Sequence, residues 1–177
     1  MHKVLFKEEQ QFRQWWYIML VMVSVIPSML FCVYALYQQV VNGIQIGDSP
    51  APNAVLAGLF AGLCVLLWSF FVMKLEVWID EIGIHFRFFP LIIKPRVISK
   101  NEIQRYEIRK YSPIVDYGGW GIKRRLKWGR VYNVSGNIGL QLYLASGKKV
   151  LFGTQRSQAI LYAMDAMMNN ENIQRKH

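Results

Sequence analysis

Two long, uninterrupted apolar runs occupy most of the first 73 residues of the chain. They are Trp15–Tyr37 and Ala54–Met73, 23 and 20 residues long, and neither contains a charged side chain. A helix rises about 1.5 Å per residue, so either run is long enough to cross a hydrocarbon core of about 30 Å. The pattern therefore predicts two transmembrane helices, at about residues 15–37 and 54–73, within an N-terminal segment that comprises residues 1–73.

From Lys74 onward the pattern changes to short stretches in which apolar and polar residues alternate. In residues 74–80, for example, Leu75, Val77 and Ile79 fall on one face of an extended chain. Period two with distinguishable faces is typical of half-buried antiparallel strands, and turn residues separate the stretches. The alternation predicts seven strands, within residues 74–80, 82–89, 91–99, 102–110, 130–135, 138–145 and 148–154.

The last part of the chain shows a helical period instead. Apolar residues recur at Ile160, Leu161, Met164, Met167 and Met168, which predicts an amphipathic helix over about Arg156–Asn170. Seven strands and one helix in about 100 residues favour a small antiparallel barrel, or an orthogonal sandwich, plugged by the helix. The expected fold class is α+β, with a two-helix transmembrane hairpin at residues 1–73 and a β-barrel domain at residues 74–177.

The charges follow this division of the chain. The 177 residues contain 21 Lys and Arg against 11 Asp and Glu, a formal net charge of +10. No Lys or Arg lies between Trp15 and Met73, so the connecting segment Gln38–Asn53 lacks basic residues. The positive-inside rule then places both termini, and the domain from Lys74 onward, on the cytoplasmic side. The composition excludes an intrinsically disordered chain, a disulfide scaffold and a collagen-like chain.

A few residues within the apolar runs bear on how the helices pack. Gly58 and Gly62 form a G-x-x-x-G pattern that permits close approach of another helix, and Pro27 is expected to kink the first helix. The partner of the glycine face is either the chain's own first helix, which is favoured, or a second copy of the chain. Cys32 and Cys64 lie at different depths, which disfavours a disulfide between them. Neither run contains an acidic or basic side chain, which argues against a transporter.

One segment concentrates glycine, tryptophan and basic residues, and it is the main candidate for a binding site. Backbone N–H groups of glycines can cradle phosphate, clustered cations attract anionic headgroups, and tryptophans suit the headgroup level of a membrane. The alternative interpretation is a glycine-rich turn followed by a solvated basic strand. The candidate residues are Gly118, Gly119, Trp120, Gly121, Lys123, Arg124, Arg125, Lys127, Trp128 and Arg130.

Other chemistries find little support in the sequence. No G-x-x-x-x-G-K-[ST] pattern and no nucleic-acid-binding motif is present, so binding of nucleotides and nucleic acids is not expected. A Ser–His–Asp set can be drawn from His85, Asp116 and Ser112 or Ser135, but no nucleophile-elbow sequence surrounds either serine. No cluster of His, Cys, Asp and Glu has metal-ligand spacing. We therefore expect no enzymatic activity, no cofactor and no metal.

Several stretches resemble those of bacterial pleckstrin-homology-like membrane proteins. With the two-helix anchor, the resemblance spans essentially the whole chain, and its later blocks are similar to one uncharacterised group in that class. It implies a seven-stranded barrel capped by a helix, a location in the bacterial plasma membrane, and no known enzymatic activity or assigned catalytic residue. The stretches are Trp78–Arg87 (WIDEIGIHFR), Arg96–Tyr106 (RVISKNEIQRY), Asp116–Lys123 (DYGGWGIK), Tyr132–Leu142 (YNVSGNIGLQL) and Leu151–Gln155 (LFGTQ).

Two functions are compatible with these features. In the first, the basic domain contacts anionic membrane lipids at the cytoplasmic leaflet and acts as a scaffold, either as a single chain or as a homo-oligomer held through Gly58 and Gly62. In the second, the domain binds a peptide or a partner protein through a sheet edge or a groove, and the basic face only docks it to the membrane. Headgroup binding should weaken steeply with salt, whereas peptide binding by strand pairing should weaken much less.

Overall fold

The computed structural model of the protein describes residues 3–12 and 15–174. The chain forms two compact units: a helical unit, Phe12–Val72, and a sheet unit that combines Met1–Gln11 with Met73–His177. Met1–Gln11 therefore belongs with the C-terminal part of the chain, whereas the sequence pattern groups it with the two helices in residues 1–73.

The helical unit contains two helices, α1 (Trp15–Val40) and α2 (Asn53–Val72). By length and composition both are able to cross a membrane, over Ile18–Val40 and Asn53–Val72, which confirms the two predicted apolar helices. Only 17% and 6% of their most apolar windows are buried. Core helices of water-soluble proteins bury most of their apolar residues, so the exposure of these two helices is the opposite of that pattern.

The two glycines of the α2 small-residue pattern make no close contact with the described part of the chain. Gly58 and Gly62 are exposed, and a Cβ atom built on either would meet no heavy atom within 4 Å. The expected close approach of α1 at these glycines is therefore not observed. Helix α1 continues without a break through Pro27, and Cys32 and Cys64 both carry free thiols.

Nine strands form two sheets among the described residues of the sheet unit. The first sheet is antiparallel and has the order β1 (Phe6–Gln11), β2 (Lys74–Ile79), β3 (Gly83–Phe89) and β4 (Ile92–Ser99). The second has the order β5 (Ile103–Lys110), β8 (Ile138–Leu144), β9 (Lys149–Gly153), β7 (Gly129–Asn133) and β6 (Gly121–Arg125). A 3-10 turn links β4 to β5, a short helix α3 (Pro113–Tyr117) precedes β6, and the C-terminal helix is α4 (Ser157–Gln174).

All seven predicted strands are present within a few residues of their expected ends, and the fold is α+β as predicted. The predicted antiparallel barrel is not closed: no ladder among the described residues joins the two sheets, and β7 pairs with β9 in parallel. The edge strand β4 contains Pro95, which has no N–H to donate to a further strand. The additional strands are β1 and β6, and β6 is the basic strand of the alternative interpretation.

Packing between the two sheets centres on aromatic rings. The ring centroid of Phe86 in β3 lies 4.7 Å from that of Tyr132 in β7 and 4.9 Å from that of Phe152 in β9. Helix α4 contacts β8, β1, β2 and β5 and closes this core. The apolar face predicted for α4 is buried at Ile160, Met164 and Met167 and half-buried at Leu161 and Met168.

Strand β1 is held largely by a buried polar network. Its inward residues are Phe6, Glu8 and Gln10. The Glu8 carboxylate accepts hydrogen bonds from the Thr154 hydroxyl at 2.6 Å and from the Gln155 backbone N–H at 2.8 Å. Gln10 Nε2 donates to a backbone carbonyl of β9 at 2.7 Å. Because two of the three inward residues are polar, the strand shows no apolar alternation, which is why the sequence analysis did not find it.

A buried carboxylate links the next two strands. The Arg87 guanidinium of β3 donates two hydrogen bonds to Glu76 of β2, with Nε at 2.6 Å and Nη2 at 2.8 Å, and Lys74 Nζ lies 2.5 Å from the same carboxylate. The hydrogen bonds from Arg87, with help from Lys74, lower the pKa of Glu76 from its ordinary 4.5 to about 2. The folded state therefore stabilises the ionised form of Glu76.

We predict that the sheet unit folds without the helices when residues 12–73 are replaced by an Asn-Gly turn, because Gln11 and Lys74 are cross-strand partners. Residues 74–177 alone should be less stable by at least about 2 kcal/mol, since they lose the buried Phe6 side chain and the whole ladder of β1. Urea denaturation followed by circular dichroism compares the two chains. Equal stability would show that β1 is dispensable.

We predict that Glu76→Gln destabilises the sheet unit by about 3 kcal/mol at pH 7. A lowered folded-state pKa contributes stability above the unfolded-state value near 4.5, and this contribution disappears as the pH falls toward 2. The difference between wild type and variant should therefore be constant from pH 8 to about pH 5 and should shrink below that. A pH-independent difference in urea unfolding would contradict this role for the charge.

Candidate anion-binding groove

A groove of about 530 Å³ lies between the tip of the β6–β7 hairpin and the β8–β9 turn. We call it the basic groove. Five cationic and five apolar side chains line it, together with two glycines. The cations are Arg124, Arg125, Arg130, Lys148 and Lys149, and the apolar lining is Ile98, Leu126, Tyr132, Leu144 and Val150.

A glycine brings the two hairpins together. Gly129, which begins β7, has a φ of +79°, and a Cβ atom there would lie 2.1 Å from the carbonyl oxygen of Lys149. Only a residue without a side chain fits this contact. The close backbone approach sets β7 beside β9, so that cations from distant parts of the sequence share one groove.

The glycines before β6 do not offer free N–H groups, in contrast to the predicted phosphate cradle. Gly118, at a φ of +76°, ends α3 and donates its N–H to Ile114, and Gly119 donates its N–H to Pro113 at 2.8 Å. The Gly121 N–H donates to the Asn133 side chain at 3.0 Å. These amides close a helix end and fix β6, so their N–H groups serve to position the basic strand.

Both tryptophans of the segment, Trp120 and Trp128, are half-buried. Trp128 packs on a core cluster that contains Tyr111 and Tyr117, and the Arg109 guanidinium lies 3.6 Å above its ring. The exposed apolar residue at the tip of the hairpin is Leu126, whose side chain is fully exposed.

A second, shallow cavity of about 440 Å³ lies beside the basic groove, and Leu126 lines it as well. Val115 of α3 lines this cavity together with Leu126, and Val115 is 79% exposed. Lys127 and Arg125 line it as well. An exposed apolar tip flanked by cations is the arrangement that favours contact with an anionic membrane surface.

The cations of the basic groove lack acidic partners. Among the described residues, no carboxylate lies within 4.0 Å of the side-chain nitrogens of the five cations, nor of Lys123 or Lys127. Carboxylates of the sheet unit pair elsewhere. Glu107 contacts Arg105 and accepts from Tyr143, and Asp116 lies 3.4 Å from Arg109. The groove therefore keeps an uncompensated positive charge.

Sequence reasoning identified five cations of the β6–β7 hairpin, and three of them, Arg124, Arg125 and Arg130, line the groove. Lys123 lies in β6 and Lys127 at the hairpin tip, both exposed. Lys148 and Lys149 were missed, because they lie 18 or more residues further along the chain. The one available signal was their position directly after the Ser146–Gly147 turn, which makes them the start of a neighbouring strand.

The Ser–His–Asp set that can be drawn from the sequence is not assembled. His85 Nε2 lies 2.8 Å from Asp80, not from Asp116, and its ring stacks on Trp78 at 5.2 Å. Asp116 accepts a hydrogen bond from the backbone N–H of Ser112, and Ser135 accepts one from the Gln155 side chain. Within the described part of the chain, no three His, Cys, Asp or Glu residues lie close enough to hold a metal.

Comparisons with known proteins add no relatives. No protein-family model matches the chain, and neither the curated proteins nor the solved structures show a significant match to it. The resemblance to bacterial pleckstrin-homology-like membrane proteins therefore stays a prediction.

We predict that Gly129→Ala destabilises the sheet unit by about 3 kcal/mol or more, because a methyl group would collide with the Lys149 backbone in addition to the strain of a positive φ. The matched control is Gly136→Ala, at a similar φ of +77° with nothing within 4 Å. It should cost only about 1 kcal/mol. Urea denaturation measures both, and equal effects would argue against the close contact of β7 and β9.

Proposed function

We propose that the protein is a non-enzymatic integral membrane protein that presents a basic, pleckstrin-homology-like domain at the cytoplasmic leaflet. In this proposal the domain binds anionic lipid headgroups through the basic groove and acts as a membrane-bound scaffold. The proposed location is the bacterial plasma membrane, with both termini in the cytoplasm. The single observation that carries the proposal is the groove of five cations, for which the described part of the chain offers no acidic partner.

The length and exposure of α1 and α2 support the membrane part of the proposal. The register of the first sheet adds an independent argument. Strand β1 precedes α1 and β2 follows α2, and the two strands pair over their whole length. Both ends of the helical unit must then lie on the same side of any membrane that it crosses. An even number of crossings with both termini on one side agrees with the distribution of basic residues.

The composition of the groove supports headgroups as the ligand. Anionic headgroups carry phosphate, for which Arg supplies paired N–H donors and Lys a point charge. Each basic residue close to an anionic surface contributes about 1 kcal/mol, so five together are sufficient for stable contact. The apolar lining, which includes the exposed Leu126, matches the apolar part of a lipid. A free phosphate would use only the cations.

A second candidate rests on the edge position of β6 in the five-stranded sheet. In this alternative a peptide pairs with β6 as an additional strand, and its acidic side chains face Lys123–Arg125. Main-chain hydrogen bonds carry such a contact, so salt should weaken it only modestly. The response to salt and to lipid composition therefore separates the two functions.

We predict that Leu126 approaches the bilayer only when anionic lipid is present. The full chain, with Cys32→Ala and Cys64→Ala, carries the fluorophore NBD on Leu126→Cys and is reconstituted in nanodiscs. Its emission should shift to the blue as phosphatidylglycerol is added to phosphatidylcholine. The shift should disappear between low salt and about 0.5 M salt, where the Debye length falls below about 5 Å.

Paired variants show whether the basic groove is the site. Arg125→Ala with Lys148→Ala removes two groove cations and should weaken the lipid response roughly 30-fold, at about 1 kcal/mol per cation. Lys3→Ala with Lys110→Ala removes the same charge outside the groove and should leave most of the response. Equal losses would show diffuse attraction without a site. If no shift occurs at any lipid composition, the headgroup proposal fails and strand pairing at β6 becomes the function to test.

A further inference from the structure

Both connections to the helical unit leave the sheet unit at the same end of the first sheet. Strand β1 ends at Gln11 and β2 begins at Lys74, and these two residues are cross-strand partners. Lys74 also pairs with Phe89, the last residue of β3. The turn between β3 and β4, Pro90–Leu91, therefore lies at this end as well. We call it the connection end of the sheet.

Chain length fixes how far the connection end lies from α2. Helix α2 ends at Val72, so one residue, Met73, separates it from Lys74. Two backbone steps span at most about 7 Å. Continuing the antiparallel register beyond Lys74 and Phe89 puts Pro90 opposite Met73. The β3–β4 turn is thus level with the residue that joins the sheet to the helix.

The β3–β4 turn exposes large apolar side chains. Leu91 and Ile93 are each 65% exposed. The ladder between β3 and β4 shifts register opposite Phe86–Phe88, so Ile93 is not held in a regular pairing. Lys94 and Arg96 follow and are exposed, and no acidic residue lies between Arg87 and Glu102. Apolar side chains bordered by cations are typical of segments that lie in a membrane interface.

The opposite end of the same sheet carries both acids and a lysine, because the Lys100 backbone N–H donates to the Ile82 carbonyl there at 3.0 Å. Its β2–β3 turn carries Asp80 and Glu81, and the Asp80 carboxylate accepts hydrogen bonds from the backbone N–H groups of Ile82 and Gly83. Ile82 is exposed there, at 42%, but beside two acids. Acidic residues in a turn are repelled by an anionic leaflet. The β3–β4 turn thus combines exposed apolar side chains with the absence of acids, and the β2–β3 turn does not.

We propose that the β3–β4 turn, with Leu91 and Ile93, inserts into the membrane interface next to the point where the chain enters the bilayer. This inference rests on the proposed function in one respect, the crossing of the membrane by α2. It does not depend on the basic groove. The turn acts as a second, apolar attachment of the sheet unit to the membrane, and it contacts lipid of any headgroup charge.

The test uses the full chain in nanodiscs of phosphatidylcholine alone, again with Cys32→Ala and Cys64→Ala. NBD is attached in turn to Leu91→Cys, to Ile93→Cys and, as the matched control, to Ile82→Cys at the opposite end of the sheet. The probes at positions 91 and 93 should emit to the blue of the control and should lose emission when nitroxide-labelled lipid is included. Both effects should persist in 1 M salt, where the Debye length is about 3 Å.

Each other result overturns the inference. If the probes at positions 91 and 93 emit like the control probe, the turn stays in water or lies no deeper in the membrane than the opposite end of the sheet. A shift that requires phosphatidylglycerol and disappears with salt shows an electrostatic contact instead of insertion. The outcomes are separable from the headgroup proposal, because a quenched probe at 91 in neutral discs together with an unresponsive probe at 126 retains the apolar contact and rejects the groove.

Discussion

The pairing of β1 with β2 is the constraint on which the architecture depends. It joins the first described strand to the strand that follows the helices, so the chain must leave the sheet unit at Gln11 and return at Lys74. The helices are in effect an insertion between two neighbouring strands. Glu8 and Gln10 strengthen this pairing from the inside, because their hydrogen bonds tie β1 to the end of β9 and the residues after it.

The pairing of carboxylates elsewhere in the sheet unit leaves the basic groove positively charged. Several of the acids are held in pairs inside the sheet unit, including Glu76 with Arg87 and Asp80 with His85. A buried carboxylate is stable only with such partners. The cations near Leu126 have none among the described residues, so they remain available to an anion. The distribution of charge therefore depends on which carboxylates find partners inside the sheet unit.

Sequence reasoning succeeded where one face of an element is apolar. The seven strands found by alternation and the α4 face at Ile160, Met164 and Met167 are examples. It failed at β1, where the inward residues Glu8 and Gln10 are polar, and at Gly118, Gly119 and Gly121, whose N–H groups are occupied. In both cases the hydrogen-bond partner of the polar group is distant in sequence or lies across a turn, and no local sequence pattern predicts it.

The sequence by itself determined the two apolar helices, the α+β class and the basic character of residues 123–130, because these depend on local composition and period. Tertiary structure alone decided that the strands form two separate sheets, that Lys148 and Lys149 join the hairpin cations, and that Leu126 rather than a tryptophan is exposed at the tip. These depend on close backbone approach, such as that of Gly129 to Lys149, between residues that are remote in sequence.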